Sequence, residues 1–289
     1  MERKIEGQES GETSAAAEIE AVSEHGQRPG KRIVFRVPAR GNVRLKKIIE
    51  RVNADQELYA MWEASNVTAV RRLGMSDHGP VHVHIVTNIA LKLLRLLVEH
   101  GIQPNVVREH DLTREEAEVT VVLAAMTHDL GMSIHRADHE QYSLFLARPK
   151  LKELLAGLYD IPTETILVSE ILHAIISHRA AARPLTLEAG IVRVADSLDM
   201  AEGRTRIPFQ AGSVNIHSIS AAAIEKVVIE KGETKPIRIV VRMTNSAGIF
   251  QIDELVRNKL KGSGLDSYVE VKAAIEFETE KKLIQTFDL

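Results

Sequence analysis

Two apolar segments of the sequence run directly into side chains that ionise or bind metals. VTVVLAAMT is followed by His128 and Asp129, and IVRVA is followed by Asp196. Burying a carboxylate without a counter-charge is costly, so Asp129 is predicted to face a metal ion or an arginine. The pattern therefore favours a metal site at the ends of buried helices.

The histidines are concentrated in one third of the chain. Ten of the twelve lie between His78 and His178, and the chain has no cysteine. Thiolate-bound zinc and disulfides are thereby excluded, so a metal would be held by imidazole and carboxylate groups. Such ligands suit one or two divalent ions (Mn, Fe, Mg or Zn) and leave positions open for water and a substrate oxygen.

The segment PVHVHIVTNIALKLLRLLVEHG predicts a helix that begins at Pro80. His82 lies on one stripe with Val86, Ile89, Leu93 and Leu97, so it is predicted to point inward. His84 falls on the opposite, polar face and is predicted to be solvated. His78 and Asp77, one turn before His82, would line a pocket mouth or cap the helix.

The order His82, then His128 and Asp129, then Asp196 resembles the HD superfamily of metal-dependent phosphohydrolases. HVHIVTNIA is similar to the first histidine helix of that family, THDLG to its His-Asp segment, and VRVADSLD to the segment with the final aspartate. The resemblance covers roughly residues 76–204. It implies that these four side chains hold one metal ion.

Two further histidines extend the resemblance to family members with two metals. His139 in HEQYS and His178 in AIISHRAAARP match the places of the additional ligands, which implies a second ion with Asp129 bridging. His173 lies five residues before His178, about 140° around a helix, so both cannot face one metal and His178 is preferred.

The resemblance also bears on the substrate. Many signalling members, including those acting on cyclic dinucleotides, have a lysine where this chain has Met132. That departure argues against a cyclic dinucleotide, and the layout around His139 and His178 is closer to compact members acting on small nucleotides. His135 would orient substrate or lie in solvent. Catalytic roles are predicted for Asp129, His135 and Arg136.

Several positive or polar groups near the predicted ligands would bind phosphate. They are His78, Arg136, Arg179, Arg183, Arg204 and Arg206. Surface salt bridges are the alternative role for the arginines. Asp199 would orient a ligand from outside the coordination sphere. His84, His100, His110 and His217 are interpreted as structural or solvated.

The predicted fold class is mainly α, with a helical HD-domain bundle followed by a small α+β domain. Residues 1–30 are predicted to be a disordered arm, because they contain few residues large enough to bury. Residues 31–208 would form the helical domain, with RIVFRV as a short N-terminal strand. Residues 209–289 would form the α+β domain, with VNIHSI, KVVIEK, IRIVVRM and SYVEVKAAI as strands. NSAGIFQIDELVRNKL would be a helix covering the sheet.

Composition limits the partners. The net charge is −3 with no basic stripe, so nucleic acid is an improbable partner. The sequence shows neither an apolar signal segment at the N-terminus nor an apolar run long enough to span a bilayer. We therefore expect a cytoplasmic protein that does not associate with a membrane. The α+β domain is predicted to mediate homodimerisation or ligand sensing, or else to buttress the helical domain.

These observations predict a metal-dependent phosphohydrolase that cleaves a phosphate ester or nucleotide with a metal-activated water. Two alternatives stay open. A di-iron member of the same superfamily would oxidise a small substrate with O₂, and a non-catalytic module would bind a nucleotide and report its presence.

Overall fold

The computed structural model describes residues 32–179, 182–200 and 220–275. The helices of its N-terminal part are listed here in chain order: α1 Val43–Ala54, α2 Gln56–Asn66, α3 Pro80–Glu99, α4 Asn105–His110, α5 Arg114–Thr127, α6 His139–Leu155, α7 Ile161–Ser177 and α8 Leu187–Ser197. A π-helical segment, Val67–Arg72, continues α2, and a 3₁₀ turn, Leu130–Ser133, follows α5. Helix α3 begins at Pro80 as predicted, and α5 and α8 contain the two apolar segments that precede His128 and Asp196.

Helix α5 is the centre of the helical core. Every residue from Val119 to Thr127 is buried, and α3, α7 and α8 pack against it. The indole Nε1–H of Trp62, on α2, donates to the carbonyl of Met126 at 2.8 Å, so a large buried aromatic fixes the last turn of α5. A helix apolar on all sides needs such complete enclosure.

By its length and composition alone, helix α3 is long and apolar enough to cross a membrane. Of its most apolar window, 56% is buried within the protein, including Val86, Leu93 and Leu97. Packing in the core accounts for its apolar character.

The predicted N-terminal strand is wrong. Residues 32–39 form no helix and pair with no strand of the described chain. Side chains satisfy this backbone instead: Asn53 bonds to both the N–H and the carbonyl of Phe35 (2.8 and 3.0 Å), and His84 lies 3.0 Å from the carbonyl of Arg36. His84 is therefore half-buried and holds this segment, and is not simply solvated.

The C-terminal part is a three-stranded sheet with a helical crossover. Strand β1, Ile224–Lys231, pairs antiparallel with β2, Ile237–Met243, and β2 pairs parallel with β3, Val269–Ile275. The crossover contains α9, Gly248–Gln251, a π-helical segment, Ile252–Arg257, and α10, Asn258–Leu260. The predicted fold class is thereby confirmed.

Two details of the C-terminal prediction need comment. VNIHSI and the proposed boundary at 208 lie outside the described residues. The predicted helix that covers the sheet does not present one continuous apolar face, because Ile249 is 55% exposed whereas Val256 is buried. The π-helical segment changes the helical phase between them.

The C-terminal part packs directly on α8. Gly190 of α8 approaches the chain so closely that a Cβ atom there would lie 2.1 Å from the carbonyl oxygen of Ser263. The buried Arg193, one turn later, donates Nε–H to the carbonyl of Lys259 at 3.0 Å. A glycine and a buried arginine thus bring α10 to the helix that carries Asp196.

Candidate metal centre

The His-Asp pair lies in a turn whose backbone is held by serines. Helix α5 ends at Thr127, and Ser143 of α6 donates to the carbonyl of His128 (2.6 Å) while accepting from the N–H of Gly131 (2.8 Å). The hydroxyl of Ser65 lies between the carbonyls of Met61 and Asp129, at 3.0 and 3.2 Å. These bonds fix the direction in which His128 and Asp129 leave the helix.

Gly131 lies in the 3₁₀ turn where the chain passes close to the start of α6. Its φ is not positive, but a Cβ atom there would lie 2.0 Å from the carbonyl oxygen of His139. The glycine therefore permits close contact between the turn and the start of α6, which carries His139.

The first ligand group consists of His82, His128 and Asp196, from α3, the turn after α5, and α8. His82 Nε2 lies 3.5 Å from Asp196 Oδ1, and His128 Nε2 lies 3.7 Å from the same oxygen. Asp129 Oδ2 completes the group, at 3.5 Å from His82 Nε2 and 3.3 Å from His128 Nε2.

The second ligand group consists of Asp129, His139 and His178. Asp129 Oδ1 lies 3.2 Å from His139 Nε2 and 3.6 Å from His178 Nε2, and the two imidazole atoms are 3.3 Å apart. The two carboxylate oxygens of Asp129 thus face different groups. This is the arrangement that a bridging carboxylate requires.

The spacing fits metal ligands. Atoms bound to one ion at metal–ligand distances of about 2.1 Å lie about 3–3.5 Å apart, close to the distances in both groups. His128 Nε2 is fully buried and makes no hydrogen bond within the described chain, although carboxylate oxygens lie nearby. A buried imidazole nitrogen beside carboxylate oxygens is satisfied only when it binds a metal ion or a proton.

Hydrogen bonds at Nδ1 direct the Nε2 lone pairs toward the centre. His128 Nδ1 contacts the carbonyl of Ala125 at 2.8 Å, and His178 Nδ1 contacts that of Ile175 at 2.6 Å. His82 Nδ1 contacts Asp199 Oδ2 at 2.6 Å. Because these oxygens only accept, each Nδ1 carries the proton and each Nε2 is left for a metal.

His139 has a more mixed environment at Nδ1. The carbonyl of Arg136 lies at 3.0 Å and the Glu140 carboxylate at 3.3 Å, but the Arg136 guanidinium Nη1 also lies at 2.8 Å. The guanidinium only donates and the two oxygens only accept, so these contacts do not fix the tautomer of His139 as they do for the other three imidazoles. Arg136 thus contacts a predicted ligand directly.

The electrostatics of the centre favour a cation. Burial opposes ionisation of Asp129, yet the charge of His128 holds the pKa of this carboxyl well below its usual range. Burial likewise lowers the pKa of His128, but Asp129 outweighs it and raises that pKa to about 10. Burial and the positive charge of His128 lower the pKa of His178, which is therefore neutral. In the absence of a metal ion, the charged carboxylates therefore hold a second proton on His128, in the place that a metal ion would take, whereas His178 in the second group is neutral.

The remaining predicted site residues lie around this centre or on the surface. His135 is exposed, and its Nδ1 accepts from the N–H of Ala137 at 3.0 Å. Arg179 is exposed, 3.5 Å from Asp138, and Arg183 is also exposed. The His78 ring lies 5.4 Å from that of His82. Arg204, Arg206 and His217 lie outside the described residues.

The other histidines and acids have structural contacts. Asp77 accepts from the N–H groups of Gly79 and His82, which caps α3. His173 accepts from the N–H of Leu185 at 3.1 Å and does not join either group. His100 contacts the carbonyl of Leu96 and His110 contacts Glu170.

Sequence reasoning missed Lys259. Its Nζ donates to the carbonyl of His178 at 2.5 Å and lies 3.4 Å from Asp196 Oδ2. It comes from α10, more than 60 residues after Asp196, and nothing in the local pattern NKLKG distinguishes it from a surface lysine. Ser65 and Ser143 were missed for the same reason.

Comparison with known proteins agrees with this geometry. The family model of the HD domain matches residues 82–201, which begin at His82 and include every member of both ligand groups. The chain belongs to the HD-domain superfamily of metal-dependent phosphohydrolases. It is 41% identical over 233 residues to the uncharacterized protein MJ1020 of Methanocaldococcus jannaschii, covering 81% of this chain and 90% of that protein. No solved structure matches the chain described here.

Proposed function

We propose that this protein is a metal-dependent phosphohydrolase that cleaves a phosphate ester or nucleotide. The observation that carries the proposal is the division of Asp129 between two ligand groups, with Oδ2 toward His82 and His128 and Oδ1 toward His139 and His178. A bridged pair of metal ions is the form that serves phosphoryl displacement, because it clamps both the attacking and the leaving oxygen.

The residues of the candidate metal centre would hold two divalent ions. His82, His128, Asp129 and Asp196 would hold one divalent ion, and Asp129, His139 and His178 a second. When bound, these ions would lower the pKa of water and neutralise charge on the phosphate. Asp129 would fix the spacing of the two positions, and Asp199 would keep the His82 Nε2 lone pair directed at the first.

Groups around the centre would bind the substrate. Arg136, which contacts His139, and the exposed Arg179 and Arg183, which follow His178 in the chain, would attract a phosphate from solvent. His78 and His135 are proposed to line the approach. Arg204 and Arg206 retain this proposed role from the sequence alone. Homodimerisation and a cytoplasmic location also stay predictions.

The test is a metal and activity assay on one sample. Protein purified without chelator is analysed for metal per chain. It is then assayed for phosphate release from nucleotides and simple phosphomonoesters with Mn, Fe, Mg and Zn in turn. We expect near two ions per chain and turnover that stops on chelation and returns with metal.

The same samples separate the alternatives. Metal-dependent O₂ consumption with iron and no phosphate release would replace the proposal with the oxygenase. Tight nucleotide binding without turnover in all four metals would favour the binding module. A folded wild-type protein that takes up no metal would remove the proposal altogether.

A further inference from the structure

The C-terminal part contributes one cation to the candidate metal centre. Lys259 lies on α10, and its Nζ contacts the carbonyl of His178 and, at 3.4 Å, Asp196 Oδ2. The other oxygen of this carboxylate, Oδ1, faces His82 and His128. Lys259 thus lies on the outer side of a proposed ligand.

Asp196 marks the accessible side of the centre. Its side chain is 18% exposed, whereas those of the other five ligands are between 0 and 6% exposed. Within the described residues, a solute reaching the ligands therefore approaches at Asp196. Lys259 lies there and is itself 17% exposed.

The ammonium of Lys259 retains donor capacity. It has three N–H bonds, and the described chain offers it two acceptors, the His178 carbonyl and Asp196. One N–H is left for an acceptor from solvent. A partly buried ammonium also interacts with an anion more strongly than an exposed arginine does, because it is less screened.

The position of Lys259 is fixed by the fold. Arg193, which is 3% exposed, bonds through Nε to the carbonyl of Lys259 and through Nη2 to that of Asn258 at 3.3 Å. Its Nη1 bonds to the carbonyl of Arg179, directly after His178. One buried guanidinium therefore joins α8, the end of α7 and α10. Because Arg193 holds the backbone of Lys259 and the His178 carbonyl and Asp196 hold its ammonium, the side chain loses little freedom on binding a ligand.

We propose that Lys259 binds the phosphoryl group of the substrate, so that the C-terminal part supplies a phosphate-binding residue to the helical domain. The inference rests on the proposed function, because it assumes that a phosphate occupies the centre. It gives the C-terminal part a direct role in substrate recognition, independent of dimerisation or sensing.

The test measures binding of inorganic phosphate to Mn-loaded protein by isothermal titration calorimetry. Wild type is compared with Lys259→Met, Lys259→Arg and the control Lys261→Met, which removes the same charge from an exposed position two residues later. Metal per chain is determined on each sample. We expect Lys259→Met to keep its metal and to bind phosphate roughly 10- to 100-fold more weakly, as for loss of a charge-assisted hydrogen bond.

The two other variants sharpen the result. Lys259→Arg should bind phosphate within a few-fold of wild type, and Lys261→Met should equal wild type. If Lys259→Met does not fold, Lys259→Gln serves instead, since its amide can still donate to the His178 carbonyl.

The outcomes separate this inference from the proposed function. Wild-type affinity in Lys259→Met with full metal content overturns the role of Lys259 alone. Loss of metal in that variant also overturns it, because Lys259 would then serve to position Asp196. A metal-loaded wild type that neither binds phosphate nor releases it from any substrate overturns both proposals together.

Discussion

The two ligand groups of the candidate metal centre are built in different ways. In the second group, the Nδ1 atoms of His139 and His178 bond to carbonyls three residues earlier in their own segments. In the first group, His128 has the same local bond to the carbonyl of Ala125, but His82 depends on Asp199, which is 117 residues away. Lys259 from the C-terminal part contacts the Asp196 side chain of that group, whereas its bond to the second group is to the backbone carbonyl of His178.

The difference shows how much of each group is local. The second group is held mainly by helix-end backbone, so any chain that forms α6 and α7 directs its imidazoles correctly. The first group needs α3, α8 and α10 to pack in the right order. Changes at long range should therefore disturb the first group and spare the second.

The largest effect is expected where the groups meet. Asp129→Asn keeps the shape of the side chain but removes the shared charge, so both ions should be lost. Activity should fall by at least roughly 10³-fold, the scale for removing a key electrostatic element of an active site. Elemental analysis and phosphate release measure this. Asp253→Asn, on an exposed carboxylate paired with Arg257, is the control. Unchanged metal content would exclude Asp129 as a ligand.

Substitutions within one group should remove one ion. His139→Ala and His178→Ala should each lower the metal-to-protein ratio by about one, leaving the first group loaded. His128→Ala and Asp196→Ala should each remove the ion of the first group and leave the second group loaded. His110→Ala, which loses only a contact with Glu170, should keep the full ratio. If any one of these four substitutions, none of which touches the shared Asp129, removed both ions, the two groups would not load independently.

A change at Asp199 tests the long-range support of the first group. Asp199→Ala removes the acceptor for His82 Nδ1, and the affinity of the first ion should drop roughly 10- to 100-fold, as for other outer partners of metal ligands. The second ion should be unaffected. Asp199→Asn retains an acceptor oxygen and should show a smaller loss. Two-site calorimetric titration with Mn resolves the two ions, and equal weakening of both would contradict the comparison.

The smallest effect is expected at the contact between α8 and the C-terminal part. Gly190→Ala forces a methyl group against the Ser263 carbonyl and should reduce the free energy of unfolding by about 1–3 kcal/mol. Thermal unfolding should shift by roughly 2–4 °C for each kcal/mol. Gly41→Ala, where a Cβ would have no neighbour within 4 Å, is the control. Equal midpoints for the two variants would show that this contact is not tight.

Much of the helical domain could be predicted because its signals are local. The helices at α3, α5, α7 and α8 follow from apolar periodicity and end residues such as Pro80, Asp160 and Thr186. The predicted strand at RIVFRV failed because β-branched composition does not provide a pairing partner. Asn53, Tyr59 and His84 supply those hydrogen bonds instead.

By itself, the sequence determined the chemistry available to this protein. It placed His82, His128, Asp129 and Asp196 at the ends or on the inner faces of apolar helices, and a buried ionisable group in such a place requires a charged partner. It also excluded thiolate ligands, since the chain has no cysteine. The family resemblance rests on these local features.

Only the tertiary structure decided which atoms meet. That Asp129 directs its two oxygens to different groups depends on the turn held by Ser65 and Ser143. That Lys259 reaches Asp196 depends on Gly190 and Arg193, which bring α10 against α8. Such contacts join residues far apart in the chain, so helical periodicity, which relates a residue only to its near neighbours, does not encode them.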